Sequence, residues 1–244
     1  MVLKICDLRL VIVDAPEEYC RQLESYLCRK NDGHLIRIVG PAFEQVCGWA
    51  TRGIPMKVAC RGIDRYFERY YAKGPRRRPI RIEFCEADVL DAFDEWRRAV
   101  GVPVPQEADA GEGEVTRKHS SLPAHLESVV ARLTSLRAGE DRSLDAVLDA
   151  MVRELDGTRA SAKNIRGEAR DRLLTRLRVL EHDLLQAARA RLDGATMADI
   201  EREAELELAS FRERMPADAY QRSREACIDR IVRDRARLPV LAFE

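Results

Sequence analysis

Leu173, Leu177, Leu180, Leu184, Ala188 and Leu192 recur at steps of three and four residues, with arginines and acids between them. Side chains at that spacing share one face of an α-helix, and a continuous apolar seam cannot stay in water, so the repeat demands a packing partner. The spacing predicts a long helix over about 158–192. Residues around it carry the same periodicity. Leu122, Leu126, Val129 or Val130, Leu133 and Leu136 make one stripe; Leu144, Val147, Leu148, Met151 and Leu155 make a second, with Ser143 as a cap and Asp156-Gly157 as a break. Asp193-Gly194 ends the long helix, Thr196 is placed to cap Met197–Met215, and Pro216 opens a last helix carrying Tyr220, Cys227, Ile228, Ile231 and Val232. The apolar tail Leu238-Pro239-Val240-Leu241-Ala242-Phe243 is expected to dock on a domain or on a second molecule, because exposed it would be costly.

The first hundred residues read differently. Leu8–Val13, His34–Val39 and Ile80–Phe84 look like short strands, separated by helices over about 17–29, 43–50, 55–72 and 87–100. Between them and the helical part, residues 102–121 are rich in Pro, Gly, Glu and Ala, a composition that buries little apolar area and reads as a flexible linker. The expected fold is mainly α. It has a small α+β domain at 1–101, the linker at 102–121, and a bundle of about five helices at 122–244.

Charge narrows the function classes. The 244 residues hold 42 basic and 42 acidic side chains, so no bulk cationic field draws the protein onto polynucleotides or an anionic membrane. Residues 1–101 contain 18 basic and 15 acidic residues against 24 and 27 beyond, a mild asymmetry, and any attraction must be local. The seven cysteines lack zinc-knuckle spacing and several sit at helical core positions, so they read as reduced, buried thiols. Neither a metal nor another cofactor is expected. The six-residue apolar run at 8–13 is too short to span a bilayer, and a cytoplasmic location without membrane contact is the expectation.

Phe43–Ile63 is the most informative stretch. Two amphipathic helices joined through Gly53-Ile54-Pro55 resemble a DNA-binding helix-turn-helix, and with the flanking strand readings the segment is similar to a winged helix, Arg76-Arg77-Arg78 standing where a wing meets phosphate. Trp49, Gly53-Ile54-Pro55 and Arg61-Gly62-Ile63-Asp64, followed by a linker and a helical tail, also resemble primosomal accessory proteins that help load replicative helicases. That resemblance implies DNA binding by the first domain and contact of the tail with an ATPase or helicase. The outward face of the second helix would present Lys57, Arg61, Arg65 and Arg69, with Asp64 and Glu68 among them, and the following turn Lys73, Arg76, Arg77, Arg78 and Arg81. Tyr66, Phe67, Tyr70 and Tyr71 lie beside that turn, where rings can stack on exposed bases, although the apolar stripe needs some of them as core.

Catalytic signals are sparse. Four histidines form no metal-binding pair, Glu181-His182-Asp183 reads as an exposed helix face, and no glycine loop follows a strand to hold phosphate. The expectation is a non-enzymatic nucleic-acid-binding accessory protein, DNA being the first candidate, that recruits a protein through its tail. The alternative is a structural or interaction component without nucleic-acid contact, in which Leu173, Leu177, Leu180 and Leu184 form the seam with a partner or with a second copy.

Overall fold

Tyr19, Cys20, Leu23 and Leu27 fall on one side of a helix that begins with Pro16 and carries acids in its first turn and bases in its last, each complementing the helix dipole. The structure, a computed structural model, describes residues 16–72, 74, 78–103, 121–137, 144–159 and 165–243. Among them are α1 (Pro16–Lys30), α2 (Pro41–Thr51), α3 (Met56–Tyr71), α4 (Glu86–Val100), α5 (Leu122–Arg137), α6 (Asp145–Arg159), α7 (Glu168–Arg189), α8 (Gly194–Leu208) and α9 (Ala217–Arg235). Two short 3-10 turns, Ile82–Cys85 and Ala209–Phe211, complete the regular structure. The chain is mainly α, and no strand occurs among the described residues.

By their contacts the described residues form two compact units, 16–103 with 202–227, and 121–201 with 228–243. The divisions at 201 and 227 fall inside α8 and α9. The linker expected at 102–121 lies outside the described residues except for 102, 103 and 121.

In the first unit α2 stops in a six-residue hydrogen-bonded turn. Ile54 N–H donates to Trp49 O at 3.0 Å and Gly53 N–H to Ala50 O at 2.9 Å, with Gly53 at φ +78° and Ile54 buried behind it. Pro55 then opens α3, whose Val58, Ala59, Ile63 and Phe67 face inward. Gly62 lets α3 lie directly on α4: a Cβ there would stand 2.4 Å from Val89 Cα. Residues 202–227 close the same core. Trp96 Nε1–H donates to buried Glu207 at 2.9 Å, and Phe211 packs against Phe93 and Trp96 with ring centres 6.5 and 5.7 Å away.

Two expected strands are absent. His34–Val39 has no regular secondary structure, its Ile36 N–H meeting Cys28 Sγ at 3.3 Å and its Ile38 N–H donating to Glu24 Oε1 at 2.7 Å, so α1 side chains take the bonds a strand would. Ile80 is held by the buried amide of Asn31, which accepts from Ile80 N–H at 2.7 Å and donates to its carbonyl at 3.1 Å. One side chain thus supplies both backbone bonds of a strand partner, and residues 82–85 turn instead of extending. The third expected strand, 8–13, lies outside the described residues. Among the described residues an α+β winged helix therefore has no strand to build its wing.

The second unit packs α5 on α6 and α6 on α7. Its core includes Leu126, Leu133, Leu148 and Leu155 together with Leu173, Leu177, Leu180 and Leu184. The partner that the leucine repeat demands is the chain's own. The long helix starts at 168, not 158, because Gly167 sits at φ +54° and ψ −139°, a conformation glycine adopts at little cost. Conversely α6 runs through Asp156-Gly157 to Arg159. A mid-helix glycine costs about 1 kcal/mol, and the two-pronged bond from Arg176 on α7 to Glu154 on α6, at 2.5 and 2.8 Å, helps to hold that final turn. α8 begins at Gly194 with Asp193 Oδ1 accepting from Thr196 N–H, so Asp193 caps it and Thr196 does not, and it gives way to the 3-10 turn well before Met215.

The tail is docked within this unit. Glu181 Oε2 accepts from the N–H groups of Leu241 and Ala242 at 3.0 and 2.6 Å, its other oxygen pairs with Arg233, and Leu241 is fully buried. Glu181 is therefore a structural clamp and not part of an exposed face.

Close approach at Gly62 generates the first prediction. Alanine is the better helix former by about 1 kcal/mol, yet Gly62→Ala meets backbone atoms of Val89 that cannot swing aside, and the net change should be a loss of about 1–3 kcal/mol. Urea unfolding followed by tryptophan fluorescence checks it, since Trp49 and Trp96 both belong to the first unit.

Candidate nucleic-acid interface

The cations expected on α3 are present but engaged. Lys57 Nζ lies 2.5 Å from Glu203, Arg65 pairs with Glu95 of α4, and Arg69 Nη2 stands 2.7 Å from Asp88. The Glu95 bond is the chief cause that raises the Arg65 pKa above its ordinary value. Asp64 is likewise engaged, with Lys30 at 2.7 Å and the Tyr26 hydroxyl at 2.6 Å. Burial first, and that bond second, push the Tyr26 hydroxyl pKa up. Arg61 is exposed.

The turn after α3 carries the rest. Arg78 is exposed, Arg81 pairs with Glu83 at 2.5 Å, and Lys73, Arg76 and Arg77 lie outside the described residues. Lys57 sits at one end of α3 and this turn at the other, about 20 Å away at 1.5 Å per residue. What the fold brings together is the C-terminal end of α3 and the 3-10 turn.

That end is aromatic. Tyr66 stacks on Tyr70 with ring centres 5.9 Å apart and on Phe84 at 6.4 Å, interplanar angles 24° and 14°, while Tyr70 meets Tyr71 edge-on at 5.4 Å. Of the four aromatic residues expected near the turn only Phe67 is buried; Tyr66 and Tyr70 are half-buried and Tyr71 is 40 % exposed. Phe84 is 58 % exposed, and the guanidinium of Arg69 lies 5.5 Å from the centre of the Tyr66 ring. Sequence reasoning missed Phe84 because it was placed in a strand. It also missed the neutralising acids Asp88 and Glu95, whose seven-residue separation on one amphipathic helix was the available signal.

Leu173, Leu177, Leu180 and Leu184, expected at a partner interface, are 8, 0, 4 and 1 % exposed and belong to the core of the second unit. Among the described residues no group of three His, Cys, Asp or Glu side chains is placed to hold a metal ion, and no helix is long and apolar enough to cross a membrane. Comparison with protein-family models, with curated proteins and with solved structures finds no match.

Behind the exposed Phe84, Cys85 is fully buried, and burial pushes its thiol pKa from an ordinary 9.0 up to about 12. Between those values the unfolded chain releases the proton and the folded chain keeps it, so this contribution to stability is complete below about pH 9 and is lost as pH rises towards 12. The urea midpoint read by tryptophan fluorescence should fall across that window, and Cys85→Ala should flatten part of the fall.

Proposed function

We propose that the protein is a non-enzymatic nucleic-acid-binding accessory protein that takes unpaired strands onto the aromatic end of α3. The observation that carries this reading is the stacked row Tyr70, Tyr66 and Phe84, in which Phe84 is exposed and the two tyrosines are half-buried, with Arg69 against the Tyr66 ring. A base presents a π-face whatever its identity, and stacking on an aromatic side chain contributes about 1–3 kcal/mol per base. Arg78 and Arg81 follow on the adjoining segment and are exposed, within reach of the phosphates between stacked bases.

A single strand suits this surface better than a duplex groove. Insertion of α3 into a groove would enlist Lys57 and Arg65, which first have to leave Glu203 and Glu95, and Asp88 and Glu95 would then face the phosphates. Stacking on Phe84 leaves those pairs in place, although Arg81 has to leave Glu83 to reach a phosphate.

Fluorescence-anisotropy titration with labelled single-stranded and duplex oligonucleotides at two salt concentrations tests the reading. The single strand should bind more tightly, with an affinity that falls as salt rises. Tyr70→Ala and Phe84→Ala should each weaken binding about 5- to 100-fold, the equivalent of one lost stack. No binding at low salt, or binding untouched by both changes, would leave the interaction-component reading in its place.

A further inference from the structure

Leu148 of α6, Ala188 of α7, Ile200 of α8, Val232 of α9 and Leu238 of the tail, all buried, floor a cavity of about 390 Å3 within the second unit. Small-ligand pockets span about 300–1,000 Å3, so the space takes one small molecule. Every apolar side chain that lines it is aliphatic, which suits a flexible chain better than a flat ring.

The mouth carries one sign of charge. Arg191, Arg235 and Arg237 line it, all exposed, and among the described residues no carboxylate does. Of the acids beside them in sequence, Asp193 accepts from Thr196 N–H at 2.6 Å and Asp234 pairs with Arg230 at 3.0 Å. Arg191 and Arg235 have interactions of their own, whereas the Arg237 side chain makes no bond among the described residues. Its backbone is also strained. Arg237 stands at φ +54°, just past the end of α9, where Leu238 N–H donates to Arg233 O at 3.0 Å and Arg237 N–H to Asp234 O at 3.2 Å. That pair of bonds closes many helices, and glycine is the ordinary residue at the left-handed position because a side chain there costs stability. Strain of this kind gathers at ligand clamps.

We propose that the cavity binds a single-chain aliphatic anion, a carboxylate whose chain lies on Leu148, Ile200 and Val232 and whose head meets Arg237. A guanidinium forks onto a carboxylate with two parallel hydrogen bonds, and the aliphatic floor removes the chain from water. The turn after α9 serves both halves of the site, since it buries Leu238 in the floor and leaves Arg237 at the mouth. The site belongs to the second unit and is independent of nucleic-acid binding.

Calorimetric titration of the full chain with decanoate, with decanol and with phosphatidylglycerol vesicles tests it. Decanoate should bind about 10-fold more tightly than decanol, the equivalent of one charge-assisted contact. Arg237→Gly should erase that preference for the anion while the melting temperature stays equal or rises, because glycine relieves the strained turn. A purely structural Arg237 would not separate binding from stability in this way. Methyl resonances of Leu148, Ile200 and Val232 should shift with decanoate while those of Val89 stay. If Arg237→Gly melts lower, Arg237→Gln is read in the same way. No decanoate binding, decanol bound as tightly, affinity indifferent to loss of the Arg237 charge, or methyl shifts confined to the first unit would overturn the proposal. So would vesicle binding without decanoate binding, which marks a membrane surface instead.

Discussion

The backbone contact between α3 and α4 at Gly62 and Val89 governs the first unit. With no side chain between them the two helices lie close enough for acids of α4 to reach the basic face of α3, so Arg65 finds Glu95 and Arg69 finds Asp88. The same approach buries Ile63, Phe67, Val89 and Phe93 and leaves Tyr66 and Tyr70 on the rim, where Phe84 joins them from the 3-10 turn. A surface that looks cationic in one dimension becomes, in three, a compensated flank ending in an aromatic edge. Along the flank the positive charge is met by carboxylates of α4, and the aromatic edge lies beyond it.

Helices were legible in the sequence because each carries its apolar residues at a period only a helix satisfies. α1, α3 and α4 begin and end within a residue or two of their expected bounds, and Gly53 marks the turn that it was expected to make. The strands were not legible, since alternation in Ile80-Arg81-Ile82-Glu83-Phe84 says which residues share a face and nothing about whether a neighbouring strand exists. Asn31, 49 residues away in sequence from Ile80, replaces that neighbour with one amide group. Glycine was ambiguous for the same reason. Gly167 stands at φ +54° just before α7, whereas Gly157 lies inside α6, where Arg176 of α7 bonds the neighbouring Glu154.

Of the candidate site, residue types were readable and their pairings were not. Arginines next to tyrosines signalled a cation-aromatic surface, but whether Lys57, Arg65 and Arg69 are available depends on acids brought from α4 and α8, which only the packing decides. The leucine repeat of α7 stated correctly that a partner is required and could not say that the partner is in the same chain. Glu181 looked like solvent-facing charge for a related reason: the backbone N–H groups it satisfies lie sixty residues further on, in the tail.

Photo-crosslinking of a single strand carrying halogenated uracil, followed by mass spectrometry of the adducts, is the most direct test of an aromatic contact surface. The account predicts adducts on the peptides containing Tyr66, Tyr70 and Phe84. Adducts confined to the Lys57 end of α3 or to the second unit, or none at all, would contradict it.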